Sequence, residues 1–303
     1  MRRLAFMLLT LTMPLLAQVI GLAQEHSERV IPPKSASLPP PFSRFSASDV
    51  LNQIFDGYDP STGRVATILN ADEQPALIRI NEAKLWKAQG RQHVVVLVEL
   101  AADDEQFSER GLCGGCDTYV ILAVLKKDGG HLALVAKQMP PPSSRPDEGP
   151  EPPYGPMMYT SRSRLSLDLA PYQLTARERL IGVRLAHKWL PSETYSTVLQ
   201  LYRIEGQRLR EVFSERVIDR SYPTHQRGKG QTVAKMISTV RPVPSGQGFY
   251  DLEIDKTILY CSDTNEDWDC DTRDASVRRV RGPKELWRFN GERFNEARTP
   301  NRP

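Results

Sequence analysis

The sequence has almost no net charge. Its 40 Lys and Arg stand against 37 Asp and Glu, which leaves +3 over 303 residues. So small an excess supplies no general attraction for nucleic acid or for an anionic membrane surface. The usual catalytic signatures are missing as well. No HExxH zinc pattern, no GxSxG nucleophile elbow, no GxxxxGK[ST] phosphate loop and no GxGxxG fingerprint occurs. Ser245-Gly246-Gln247-Gly248 lacks the strand-to-helix elbow, and Gly228-Lys229-Gly230 is only a basic turn. The five histidines, His26, His93, His131, His187 and His225, fall in no metal-binding spacing. His93 and His131 read as strand starts, and His187, beside Lys188 and Trp189, as part of a loop.

Long apolar runs are scarce. Leu4 to Ile20 is the one strongly apolar stretch, and Met1-Arg2-Arg3 precedes it. Gly21-Leu22-Ala23 then supplies small residues before the polar Gln24-Glu25-His26. A basic start, an apolar middle and a small-residue site predict a cleaved signal peptide over residues 1–23. The run is shorter than the ~20 residues that span a bilayer, and Pro14 interrupts it. An uncleaved anchor is the rival reading. No Cys follows the run as a lipid acceptor, and Arg2-Arg3 is a weak hint of twin-arginine export. Losing Arg2 and Arg3 lowers the mature charge from +3 to +1. The expected location is the periplasm or the cell exterior, with no membrane insertion after signal removal and no nucleic acid as partner.

Cysteine is sparse too. Cys113, Cys116, Cys261 and Cys270 all lie beyond the signal. In an oxidising compartment they predict two disulfides, with three pairings open. Local bridges, Cys113–Cys116 and Cys261–Cys270, would close small loops and so remove little chain entropy. The Cys-Gly-Gly-Cys run is followed by Asp117-Thr118-Tyr119-Val120, a strand pattern. Thiol–disulfide exchange needs a helix there to lower the thiol pKa, so a structural bridge is the favoured reading. A redox thiol pair and a four-thiolate zinc site are the alternatives.

What is plentiful is proline, glycine turns and alternating hydrophobic residues. Residues 24–45 carry Pro32-Pro33 and Pro39-Pro40-Pro41 and read as an extended, disordered leader. Ser48, as an N-cap before Asp49, with Val50, Leu51, Ile54 and Phe55 on one face, predicts one short helix ending at Gly57. Strand patterns follow at 65–69, 76–80, 93–100, 118–125, 131–136, 180–185 and 196–204. Three hairpins turn at Gly130, Gly206 and Gly291. The segments Ile80–Leu85 and Leu167–Tyr172 each precede a strand at similar distance. Together these predict a mainly β protein of antiparallel modules, sandwich-like or propeller-like, with one N-terminal helix. The modules are expected at 46–139 (with the helix), 157–226 and 227–297. A Pro-rich linker over 140–156 joins the first two, and a disordered tail covers 298–303.

Cys261 to Asp274 is the densest chemistry. Six acidic side chains fall between Asp263 and Asp274. Asp263, Asn265, Asp267, Asp271 and Asp274 occupy positions 1, 3, 5, 9 and 12 of a loop, and in that spacing the run resembles an EF-type calcium loop. Trp268 stands where the sharp turn wants Gly, Asp274 is shorter than the usual Glu, and no helix signal flanks the run. The other reading is a solvated acidic loop pinned by a disulfide. Ca²⁺ is the one cofactor the sequence suggests. Arg278-Arg279-Val280-Arg281 and Lys284 follow and could neutralise the loop, while Trp287 and Phe289 alternate onto one core-facing side.

With no catalytic constellation, the first expectation is a non-enzymatic binding or interaction protein of unknown protein or small-molecule partner. Its contact loops would be 101–117, 140–160 and 261–275. The alternative is an exported hydrolase using carboxylates of the 263–274 loop or Asp168. A thiol redox protein ranks below both.

Overall fold

The computed structural model describes residues 34–68, 75–101, 118–138, 158–159, 163–188, 195–221, 232–246, 248–262 and 277–297. Among the described residues one helix, α1 (Ala47–Ile54), precedes fourteen strands. These are β1 (Arg64–Ile68), β2 (Pro75–Ala88), β3 (Arg91–Ala101), β4 (Thr118–Asp128), β5 (His131–Gln138), β6 (Met158–Tyr159) and β7 (Ser163–Asp168). There follow β8 (Ile181–Lys188), β9 (Tyr195–Glu205), β10 (Arg208–Ser221), β11 (Thr232–Pro244), β12 (Tyr250–Ser262), β13 (Arg278–Phe289) and β14 (Phe294–Glu296). The mainly β class is therefore as expected. Among the described residues, no helix is long and apolar enough to cross a membrane.

The strands form three antiparallel meanders, β2–β5, β7–β10 and β11–β14, joined in one hydrogen-bonded sheet. β10 makes the joins. Its start pairs in parallel with β5 through Arg208↔Lys137 and Leu209↔Gln138. Its end pairs antiparallel with β11 from Ile218↔Ile237 to Ser221↔Ala234. Two register shifts, at Glu211/Phe213 and Arg216/Ile218, interrupt its pairing with β9. Bulges bend a strand and raise its twist, and here they let one strand serve two neighbouring layers.

Alternation along each strand then decides what packs on what. In β3, Val94, Val96, Val98 and Leu100 join one core with Val50, Leu51 and Ile54 of α1. Their neighbours Val95 and Leu97 face the other way, onto Leu165, Ile181, Val183 and Leu185 of the second meander. Leu199 and Leu201 of β9, with Phe213, face the third meander at Leu252, Ile254, Phe289 and Phe294. The bulge at Glu211/Phe213 lets the consecutive Val212 and Phe213 both reach that core. Phe213 meets Trp287 and Phe294 edge-on, with ring centroids at 5.3 and 6.1 Å. The order is helix, first layer, second layer, third layer, with a hydrophobic core at each junction. Each buried large apolar side chain contributes roughly 1.5–3 kcal/mol. The opposite face of the third layer carries Arg241, Glu253, Asp255 and Lys284, paired among themselves.

Several details differ from the sequence expectations. The N-cap of α1 is Ser46, not Ser48. Its hydroxyl accepts from the Asp49 N–H at 3.1 Å, while its own N–H donates to the Asp49 carboxylate at 2.7 Å. This reciprocal capping box satisfies two donors at once, which a cap at Ser48 could not. Residues 34–45, expected as part of a disordered leader, are anchored: Phe42 is 0% exposed, and Ala36 N–H donates to Ile80 O at 2.8 Å. Apolar residues between the prolines give that segment a core to join. β2 runs on through Ile80–Leu85, so this is strand rather than a lead-in segment. Its Glu82 accepts from the Leu167 N–H at 2.5 Å, and Lys84 donates to the Leu167 carbonyl at 2.7 Å. The two look-alike segments touch each other. β11 and β12 form a long hairpin that the sequence reading missed, and His187 lies in β8, not in a loop. Lys284 pairs with Glu253 and Asp255 of its own sheet.

Candidate functional site

A two-residue turn builds the first wall of the site. Gln89 and Gly90 both hold left-handed backbone, φ 52° and 71°. That is what a tight turn between right-twisted strands requires, and glycine supplies the second position without strain. The turn fixes the register Ala88↔Arg91 and Trp86↔His93 between β2 and β3. β4 continues the row through His93↔Lys126. Trp86, His93 and Lys126 therefore stand side by side across three strands, with the Trp86 and His93 rings 5.5 Å apart.

The second wall is the segment between β7 and β8. Thr175 Oγ1 accepts from the N–H groups of Arg177 (3.2 Å) and Glu178 (3.0 Å), and Leu174 N–H donates to Glu178 O at 2.9 Å. This compact turn presents Arg177, Glu178 and Arg179 toward the first layer. Arg179 bridges the layers, donating to Lys87 O at 2.9 Å and to Leu169 O at 3.3 Å. Glu178 is held by Arg203 at 2.7 and 3.3 Å. Between the walls lies a cleft of about 550 Å³, bounded also by Ala88, Leu134, Val135 and Ile204. That size suits a small organic ligand.

Three nitrogens in this wall are buried without a partner among the described residues: Trp86 Nε1, His93 Nδ1 and Arg179 Nε. Trp86 is 3% exposed and His93 9%. An unsatisfied buried donor costs about 1–3 kcal/mol, and Trp86 Nε1 and Arg179 Nε, which can only donate, carry that cost inside the wall. Burial pushes the His93 pKa down; the Arg91 carbonyl opposes this, and the charges of Arg91 and Lys126 add to it.

The sequence-predicted site residues fare differently. Asp263, Asn265, Asp267, Asp271 and Asp274 lie outside the described residues, as do Cys113, Cys116 and Cys270, and with them most of the expected contact loops. Cys261 has its backbone in β12, opposite Val233. Among the described residues no group of three or more His, Cys, Asp or Glu is gathered to hold a metal.

Asp168 ends β7 and is fully engaged. It accepts from Arg184 Nε at 2.6 Å, Tyr172 Oη at 2.9 Å and Ala170 N–H at 3.2 Å. Burial by itself would raise its pKa, but these donors outweigh it and hold the carboxyl below the usual range. The same contact raises Arg184 against its burial. This is a fixed anion rather than a proton donor. A shallower groove of about 470 Å³ carries Glu215 and Asp219, but both sit on β10, and Asp219 is bound by Arg216 at 3.0 Å.

The Trp86–Arg179 cleft escaped the sequence reading. The available signal was Ala88-Gln89-Gly90-Arg91, a turn that pairs Trp86 with His93. Nothing in the sequence brings residues 175–179 to them. No protein-family model, curated protein or solved structure matches the chain.

Proposed function

We propose that this is an exported, disulfide-containing binding protein that holds a small ligand in the cleft between its first and second sheet layers. One observation carries the reading: the cleft sets the basic side chains of Arg91, Lys126, Arg177 and Arg179 beside an apolar wall, while the one carboxylate lining it among the described residues, Glu178, is committed to Arg203. Binding needs convergent polar groups on a rigid frame. Acid–base hydrolysis needs a free carboxylate or an activated nucleophile within reach, and among the described lining residues there is neither beside His93. The signal-like residues 1–23 support export, and export supports pairing of the four cysteines.

The test is a melting-temperature screen of the purified protein against neutral, cationic and anionic metabolites. A ligand at one hundred times its Kd stabilises by about 2.7 kcal/mol, well within such a measurement. Val135→Trp, which projects bulk into the cleft from its wall, should abolish the shift while leaving the circular dichroism unchanged. A screen in which no compound moves the melting temperature would reject the reading.

A further inference from the structure

We infer that the ligand of this cleft is a small organic oxyanion, a carboxylate or phosphate with an apolar remainder; the inference rests on the binding reading above. Charge decides it. Arg91, Lys126, Arg177 and Arg179 line the cleft, and no ion pair ties any of them to a carboxylate among the described residues. Glu178, the one acid among the described lining residues, is neutralised by two contacts from Arg203.

Arg179 is also preorganised. With Lys87 O and Leu169 O holding its two terminal nitrogens, its guanidinium is fixed before any ligand arrives. Little side-chain freedom is then lost on binding, and a planar guanidinium fork suits carboxylate and phosphate oxygens. One part of the wall, Ala88, Leu134, Val135 and Ile204, is apolar. A bare inorganic ion would leave that wall uncovered, whereas an anion with a hydrocarbon or aromatic body covers it.

The test is an NMR titration of the ¹⁵N-labelled protein in a phosphate-free buffer. The chain has four tryptophans, and the indole N–H of Trp86 is assigned by its loss in Trp86→Phe. The probes are octanoate, phenyl phosphate, inorganic phosphate and the neutral isostere octanamide. The expected result is a saturable shift of the Trp86 indole resonance with octanoate or phenyl phosphate, and weaker binding of inorganic phosphate and octanamide. Whichever of the first two binds more tightly identifies the anion as carboxylate or phosphate. Lys126→Gln and Arg91→Gln should each weaken the anion about fivefold, as loss of a rim charge does, without changing octanamide. Octanamide binding as tightly as octanoate overturns the anion inference and leaves the binding cleft standing. Inorganic phosphate binding as tightly as phenyl phosphate, with octanoate silent, overturns the apolar remainder. No shift with any probe overturns both the inference and the cleft's binding role.

Discussion

Asp168 offers the sharpest test of how the second layer is held. Replacing it with Ala removes the acceptor of three donors at once. The Tyr172 hydroxyl loses its partner inside a mostly buried setting, a loss of about 1 kcal/mol. Arg184 loses its counter-charge. Breaking a buried pair costs about 3–5 kcal/mol, but the Arg184 side chain keeps 35% exposure. Water therefore recovers part of that, leaving about 1–3 kcal/mol for the charge. Asp168→Ala should thus destabilise by about 2–4 kcal/mol, and Asp168→Asn, which keeps an acceptor oxygen, by about half as much. Urea unfolding measures both. A double-mutant cycle with Arg184→Met should show a coupling of about 1–2 kcal/mol. The pH dependence has a definite sign. A carboxyl held below its ordinary value of 3.8 contributes fully above that value. The contribution is lost as pH falls through the lower, folded-state value. The gap between wild type and Asp168→Asn should therefore stay constant from neutral pH to about 4 and shrink below it. A loss under 0.5 kcal/mol for Asp168→Ala, or a coupling of zero, would refute the account.

Further tests address other links in the fold. Phe42→Ala should destabilise by about 3–5 kcal/mol, since Phe42 is wholly buried against α1 and the first layer; a loss below 1 kcal/mol would show that residues 34–45 do not belong to that core. A methyl group on Gly182 would lie 2.5 Å from the Asp168 carbonyl oxygen and 3.1 Å from the Tyr172 ring. Gly182→Ala should therefore cost about 1–3 kcal/mol by overpacking, read from the same unfolding curves. His93, its pKa depressed by burial, should titrate below 6.5 in a proton NMR experiment. With a depressed folded-state value, the unfolded chain binds the proton first, so His93 lowers stability as pH falls below 6.5. His93→Gln should flatten that decline, and a curve of unchanged slope would contradict it. Millimolar calcium raises the melting temperature of the oxidised protein if Asp263, Asn265, Asp267, Asp271 and Asp274 hold the ion, and an unchanged melting temperature removes that reading.

Sequence alone determined the β class, α1 and the three glycine hairpins. Each depends on neighbours within a few residues: a two-residue period for a pleated strand, a positive φ at a turn, a cap beside its own helix. Even here locality misled where two candidates competed, as Ser46 and Ser48 did for the cap. The β11–β12 hairpin was hidden because one of its faces carries Arg241, Glu253 and Asp255 in paired charge, and Pro242 and Pro244 close β11. Tertiary structure decided the stacking of three meanders and the course of β10 across them. It decided too that Glu82 and Lys84 meet Leu167, more than eighty residues away. The cleft belongs to the same class of fact. Trp86, Lys126 and Arg179 become neighbours only because β3 and its flanking strands bury both faces, which forces the second layer onto the first. Burial by stacked sheets acts at any sequence separation, whereas turn and cap chemistry acts within a few residues.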